Sequence, residues 1–194
     1  MPANKSLPTV PAGLAPMFEI DEGVLARAQK IKLAIFDVDG VLTTGALYLG
    51  DDGQEFKAFN SRDGLGMKML AANGVETAII TGRKSKVVEH RAIDIKVKHL
   101  HQGALDKLPV YEKLISDLGL QHDEVAFVGD DIVDLSIMLR VGLAVAVANA
   151  HPLAKEHSHW VTPSDGGCGA ARDFCEMVMF AQGNYAEEMQ RHLR

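Results

Sequence analysis

At 194 residues with 47% hydrophobic content, the chain has enough apolar material for one ordinary domain with a buried core. Its formal charge of −6 argues against nucleic acid, which is bound chiefly through excess Lys and Arg. No run approaches the roughly 18 apolar residues of a membrane span, and the opening MPANKSLPTV holds no apolar signal core. Cys168 and Cys175 form no CxxC pair, which fits a reducing, cytoplasmic setting.

Residues 1–19, with prolines and small polar residues near their start, read as a flexible or draped arm. Ile20 to Lys30 predicts a short amphipathic helix leading into the apolar strand Leu33 to Phe36, too short for a helix and too apolar for a half-exposed strand. That strand ends in Asp37-Val38-Asp39-Gly40. Ala46 to Phe59 predicts a hairpin turning at Gly50-Asp51-Asp52-Gly53, and Arg62 to Asn73 a helix stopped by Gly74. There follow a strand over Val75 to Ile80 ending at Thr81-Gly82-Arg83, a helix from Lys84 to Arg91, a strand at Ile95 to Val97 and a helix from Lys107 to Leu118. The strand Val125 to Val128 opens into Gly129-Asp130-Asp131-Ile132-Val133-Asp134; a helix to Arg140, a strand Leu143 to Val147 and a helix Ala170 to Ala181 complete the pattern. Alternating strands and helices predict a doubly wound parallel α/β domain spanning 20–182, with a hairpin flap at 46–59, no separate cap domain and a tail at 183–194.

In open α/β sheets ligands bind beyond the carboxyl ends of the strands, where the two acids of DVDG emerge. Asp at a strand end is also a common turn former, so DVDG alone decides little. The ordered set DxDGV, TG, Lys and GDDxxD resembles the haloacid dehalogenase superfamily of phosphohydrolases. On that reading Asp37 is the nucleophile for phosphate monoester hydrolysis, and Asp39 protonates the leaving oxygen and then activates water. Thr81 and Lys107 contact the phosphoryl group. Asp37, Asp130 and the main-chain carbonyl of Asp39 would hold Mg2+, oriented from behind by Asp131 and Asp134. The competing reading of Asp130 and Asp131 is helix capping. The histidine pairs His99/His101 and His157/His159 share the spacing of a strand face, but such histidines are more often surface or hydrogen-bonded structural residues, and no metal is assigned to them. Cys168, in a Gly-rich loop, lacks a neighbouring base and reads as a bystander.

From Ile20 to Gly183 the chain also resembles the 3-deoxy-D-manno-octulosonate (KDO) 8-phosphate phosphatases of lipopolysaccharide synthesis. The likeness is densest in FDVDGVLTTG, FKAFNSRDGLGMK, AIITGRKSKVVEHR, HQGALDKL, VAFVGDDIVD, GLAVAVANAHPL and GGCGAAR. The resemblance implies a small phosphorylated sugar acid as substrate, bound by Asn60, Ser61, Arg62, Asp63 and Gly64 with Asp39, Lys68, Arg83, Arg91 and Lys107. It also implies a homotetramer whose hairpins meet and whose tails approach neighbouring sites. Thr44 and Cys168 depart from the family pattern, which usually has an acid and an Arg at those places. A related nonulosonate 9-phosphate phosphatase, a phosphoacceptor receiver domain and a non-catalytic scaffold are the other readings; receivers place the acidic pair before the acceptor Asp, the reverse of the order here.

Overall fold

Leu33, Ala34, Ile35 and Phe36 follow one another without a polar break, and all four are fully buried in strand β1 (Leu33–Phe36). The computed structural model describes residues 14–193. In it β1 pairs in parallel with β4 (Glu76–Thr81) on one side and with β6 (Val125–Gly129) on the other. β5 (His99–Gln102) lies outside β4, while β7 (Leu143–Ala146) and β8 (Trp160–Val161) lie outside β6. The order of the six strands is β5-β4-β1-β6-β7-β8, all parallel. The chain leaves β1 toward β5, then crosses back to β6. The carboxyl end of β1 is therefore the topological switch point, where such sheets open a crevice.

Helices α1 (Glu22–Ala28) and α2 (Ser61–Ala72) pack on α7 (Ala170–Ala181), whose Phe174 ring meets the Phe36 ring edge-on at 5.5 Å. Right-handed crossovers place α3 (Lys86–Asp94) on that same face and α4 (Leu108–Leu118) with α5 (Leu135–Met138) on the other. The flap is a minimal ladder, β2 (Tyr48–Leu49) against β3 (Glu55–Phe56). Its turn is closed by Gly50 N–H donating to Gln54 O and by the Gln54 N–H donating to Asp52 Oδ1, which makes Asp52 a turn residue.

Some expectations shift. The strand expected at 95–97 lies at His99–Gln102 instead. Ile95 is the C-cap of α3 and Lys96 turns the chain at φ +60, so Ile95 and Val97 pack into the core and pairing with β4 begins later. α6 (Pro152–Glu156), β8 and α8 (Tyr185–Arg191) were not expected, α8 falling within the supposed tail. His157 caps α6 and His159 Nδ1 accepts the Ala144 N–H, so these two share no strand face. Of the expected arm, residues 1–13 lie outside the described residues. Leu14 and Phe18 pack on the core, Phe18 with its ring 5.5 Å from Trp160.

Candidate active site

The carboxyl ends of β4, β1 and β6 bring three expected segments side by side. Asp37 follows β1 directly, its N–H donating to Val128 O of β6, and is almost fully buried. Thr81 ends β4, and Asp130 follows β6. Gly40 makes the close approach possible: it sits at φ +93, and a Cβ there would fall 2.0 Å from Asp130 Oδ2.

Lys107 occupies the N-cap position of α4, where a cation opposes the helix dipole, and is 3% exposed. Its Nζ donates to Asp134 Oδ1 at 2.6 Å and lies 3.0 Å from Asp37 Oδ2, which offsets both penalties. Burial lowers the lysine's proton affinity, but Asp37 and Asp134 outweigh it and hold the pKa above its ordinary value. Asp134, fully buried, spends its other oxygen on the N–H groups of Asp130 (2.9 Å) and Asp131 (3.3 Å). Both of its oxygens are thus committed to donors.

Two neighbouring carboxylates are not so placed. Asp37 Oδ1 and Asp130 Oδ1 are buried without a hydrogen-bond partner, and the carboxylates of Asp37, Asp130 and Asp134 all offer oxygens within 4.8 Å of one another. Burial pushes the Asp37 carboxyl up to about 6 against the pull of Lys107, and burial with the charges of Asp134, Asp37 and Asp131 pushes Asp130 up to about 7. A buried acceptor-only cluster with unmatched oxygens is the donor set of a hard divalent cation, so Mg2+ fits the residues present. Asp131, expected behind that shell, is exposed and caps the following turn by accepting the Ile132 N–H; capping, the competing reading, describes it.

The crevice above these groups holds about 240 Å³ and is lined by Asp37, Asp39, Thr81, Arg83, Leu105, Lys107, Asp130 and Val133, among others. Asp39 Oδ1 receives a hydrogen bond from Lys57 of the flap, and Arg83 Nε stands 3.9 Å from Asp39 Oδ2. Arg83 in turn donates to Glu55 at 2.8 Å. Lys57 and Glu55 were not singled out from the sequence, although Glu55-Phe56-Lys57 alternates charged and aromatic residues along a strand.

The other expected substrate residues gather around the start of α2, outside the crevice lining. Asn60 caps the helix by accepting the Arg62 N–H, Ser61 is its exposed first residue, and Arg62 donates to Cys168 O at 2.8 Å. Arg91 donates to Asn60 O and to Asp94, which Lys68 also approaches. Gly64 admits that arginine, since a Cβ there would lie 2.1 Å from Arg91 Nη2. Asp63 is 2% exposed and accepts the Arg172 N–H at the start of α7, joining two helices, while its Oδ2 is buried without a hydrogen-bond partner. Cys168 is exposed, and Cys175 is sealed in the core.

A family profile described as haloacid dehalogenase-like hydrolase matches residues 99–172. The chain is 46% identical over 163 residues to the KDO 8-phosphate phosphatase KdsC of Yersinia pestis, covering 84% of this chain and 87% of that one. Against KdsC of Escherichia coli K12 the identity is 45% over 168 residues, 87% of this chain and 89% of the other. The crystal structure of the KDO 8-phosphate phosphatase of Moraxella catarrhalis, in complex with magnesium, phosphate and KDO, superposes with a TM-score of 0.86 at 36% identity, covering 87% of this chain and 97% of that one. With this likeness running through both the sequence and the six-stranded sheet, the chain belongs to the KDO 8-phosphate phosphatase family of haloacid dehalogenase-like hydrolases.

Proposed function

We propose that the chain is a Mg2+-dependent phosphatase that hydrolyses KDO 8-phosphate to KDO and inorganic phosphate, a step of lipopolysaccharide synthesis. The observation that carries the proposal is the Asp37 carboxylate, buried beside Lys107 with one oxygen unpartnered, in a crevice shared with Asp39, Thr81 and Asp130. Family membership and the complex of the Moraxella relative supply the substrate.

The chemistry follows from these groups. Asp37 bonds to phosphorus as the phosphorus–oxygen bond to the sugar breaks, and a proton on Asp39 passes to the departing oxygen. Water then bonds to phosphorus, its proton goes to Asp39, and the bond to Asp37 breaks. Lys107 holds Asp37 in place and sets a positive charge beside the phosphoryl group, and Thr81 offers it a hydroxyl donor. Asp37, Asp130 and the main-chain carbonyl of Asp39 would hold Mg2+, with Asp134 fixing the backbone behind them. When bound, the ion supplies the charge that lets an anionic phosphate approach an anionic nucleophile.

Arg83 lines the crevice, which supports reading it as a partner for the sugar acid's carboxylate. Any part that Asn60, Ser61, Arg62, Gly64, Lys68 and Arg91 play in binding lies outside the crevice of one chain. This favours a homotetramer, and the flap supports it: Tyr48, Leu49 and Phe56 are each more than half exposed on a ladder of two residue pairs. We assign 20–182 to the catalytic domain, 46–59 to the flap and 183–194 to a tail that helps close a neighbouring site, in a cytoplasmic enzyme. Among the described residues no helix is long and apolar enough to cross a membrane. Hydrolysis assays across KDO 8-phosphate, nonulosonate 9-phosphate, simple sugar phosphates and nucleotides test the substrate. Preference for KDO 8-phosphate is expected, and equal rates on simple sugar phosphates would refute it. Light scattering tests the assembly.

A further inference from the structure

Strand β3 presents two unlike faces. Side chains alternate along it, so Phe56 points outward and is 58% exposed, while Glu55 and the following Lys57 point toward the crevice. The Lys57 side chain is only 1% exposed although it belongs to a hairpin at the protein surface. Burying an ammonium group is costly unless it is paired, and its partners are Asp39 Oδ1 and, at 3.4 Å, Glu55 Oε1. The same Glu55 oxygen accepts from Arg83 at 2.8 Å. The pairing leaves the Asp39 carboxylate with one oxygen tied to the flap and the other, Oδ2, 3.9 Å from Arg83 Nε.

We propose that Lys57 is a positioning residue for proton transfer: by anchoring Asp39 Oδ1 it fixes the carboxyl plane and leaves Oδ2 as the oxygen that gives the proton to the leaving group and takes one from water. This rests on the reading of Asp39 as the proton-transfer acid. The flap then does more than cover the crevice, because its closure and the aim of Asp39 are one event. A lysine that merely pinned the flap would affect stability and substrate affinity. One that aims Asp39 affects the step in which a proton moves.

Leaving groups separate the two. A sugar alkoxide needs a proton to depart, whereas p-nitrophenolate departs without one, so rapid-quench measurement of phosphoenzyme formation with KDO 8-phosphate and with p-nitrophenyl phosphate isolates the transfer. Lys57→Met is expected to slow formation from KDO 8-phosphate by about tenfold or more, as misdirected catalytic groups do, and that from p-nitrophenyl phosphate by less than about twofold. KM and the Mg2+ activation constant should stay near wild type, and Lys57→Arg should recover most of the rate. Wild-type rates on both substrates in Lys57→Met, or equal losses on both, would overturn the proposal. If the wild-type enzyme spares KDO 8-phosphate yet cleaves another alkyl phosphate, the substrate reading fails, and the same pair of rates measured on that phosphate still decides the role of Lys57.

Discussion

Both ends of the central sheet are hollowed, and the larger hollow is the less interesting one. At the amino ends of β1, β4 and β6 a depression of about 770 Å³ is lined by Lys30, Lys32, Asn73, Asp123, Glu124 and Gln182, among others, against about 240 Å³ at the carboxyl ends. Yet the amino-end charges pair with one another at the surface, Lys32 with Glu124 at 2.6 Å and Lys30 with Asp123 at 3.4 Å. Gln182 donates to the carbonyls of Ala28 and Ile31. At the carboxyl ends two buried acids and a half-buried one are crowded together, a lysine sits where the helix dipole opposes it, and two carboxylate oxygens go unmatched. Local rules broken together mark a site more surely than volume does, because the folded chain tolerates such costs only where something else requires them.

The largest effect falls on Asp37. Asp37→Asn should abolish measurable turnover, since an amide is a poor nucleophile and a weaker metal ligand. Asp39→Asn should lose about 10² to 10⁴ in rate while Mg2+ affinity is kept, because only the proton transfer is removed. Asp130→Ala should weaken Mg2+ activation more than any other single change outside Asp37, read from the metal dependence of the rate; an unchanged activation constant would detach Asp130 from the metal.

A subtler contrast is in pH. The folded chain holds Asp37 at about 6 and Asp130 at about 7, both raised from 3.8, so between those limits it binds protons that the unfolded chain has released. Stability from these two groups is therefore full below the unfolded value and declines as pH rises through the folded ones. Without metal, the melting temperature of the wild type relative to Asp130→Asn should fall from about pH 5 to about pH 8, and excess Mg2+ should remove the fall. A flat difference would contradict the crowding of acids described above. The smallest effect belongs to the amino end: Lys32→Ala should leave kcat/KM unchanged and shift stability by no more than about 1 kcal/mol, as exposed ion pairs do.

The sequence was most legible where pattern and chemistry coincide. The uninterrupted LAIF run announced a central strand, the apolar runs before Thr81 and Asp130 announced its neighbours, and the acids at their ends needed only parallel adjacency to converge. What stayed hidden depended on partners distant in the chain. Nothing local tells that Lys57 turns inward to Asp39, 18 residues away, or that Asp63 meets the start of α7 at Arg172, 109 residues away. β5 was misplaced because Ile95 and Val97 are as apolar as strand residues but serve the end of α3, and only the backbone turn at Lys96 separates the two uses. β8, two residues long, offers too little periodicity to read.

The central claim, that the unmatched Asp37 carboxylate is the group that receives the phosphoryl, is tested most directly by acid-quenching the enzyme during turnover with labelled substrate and Mg2+ and locating the label by peptide mass spectrometry. The account predicts label on the peptide containing Asp37, absent from Asp37→Asn. Label on another residue, or near-normal turnover by Asp37→Asn, would contradict it.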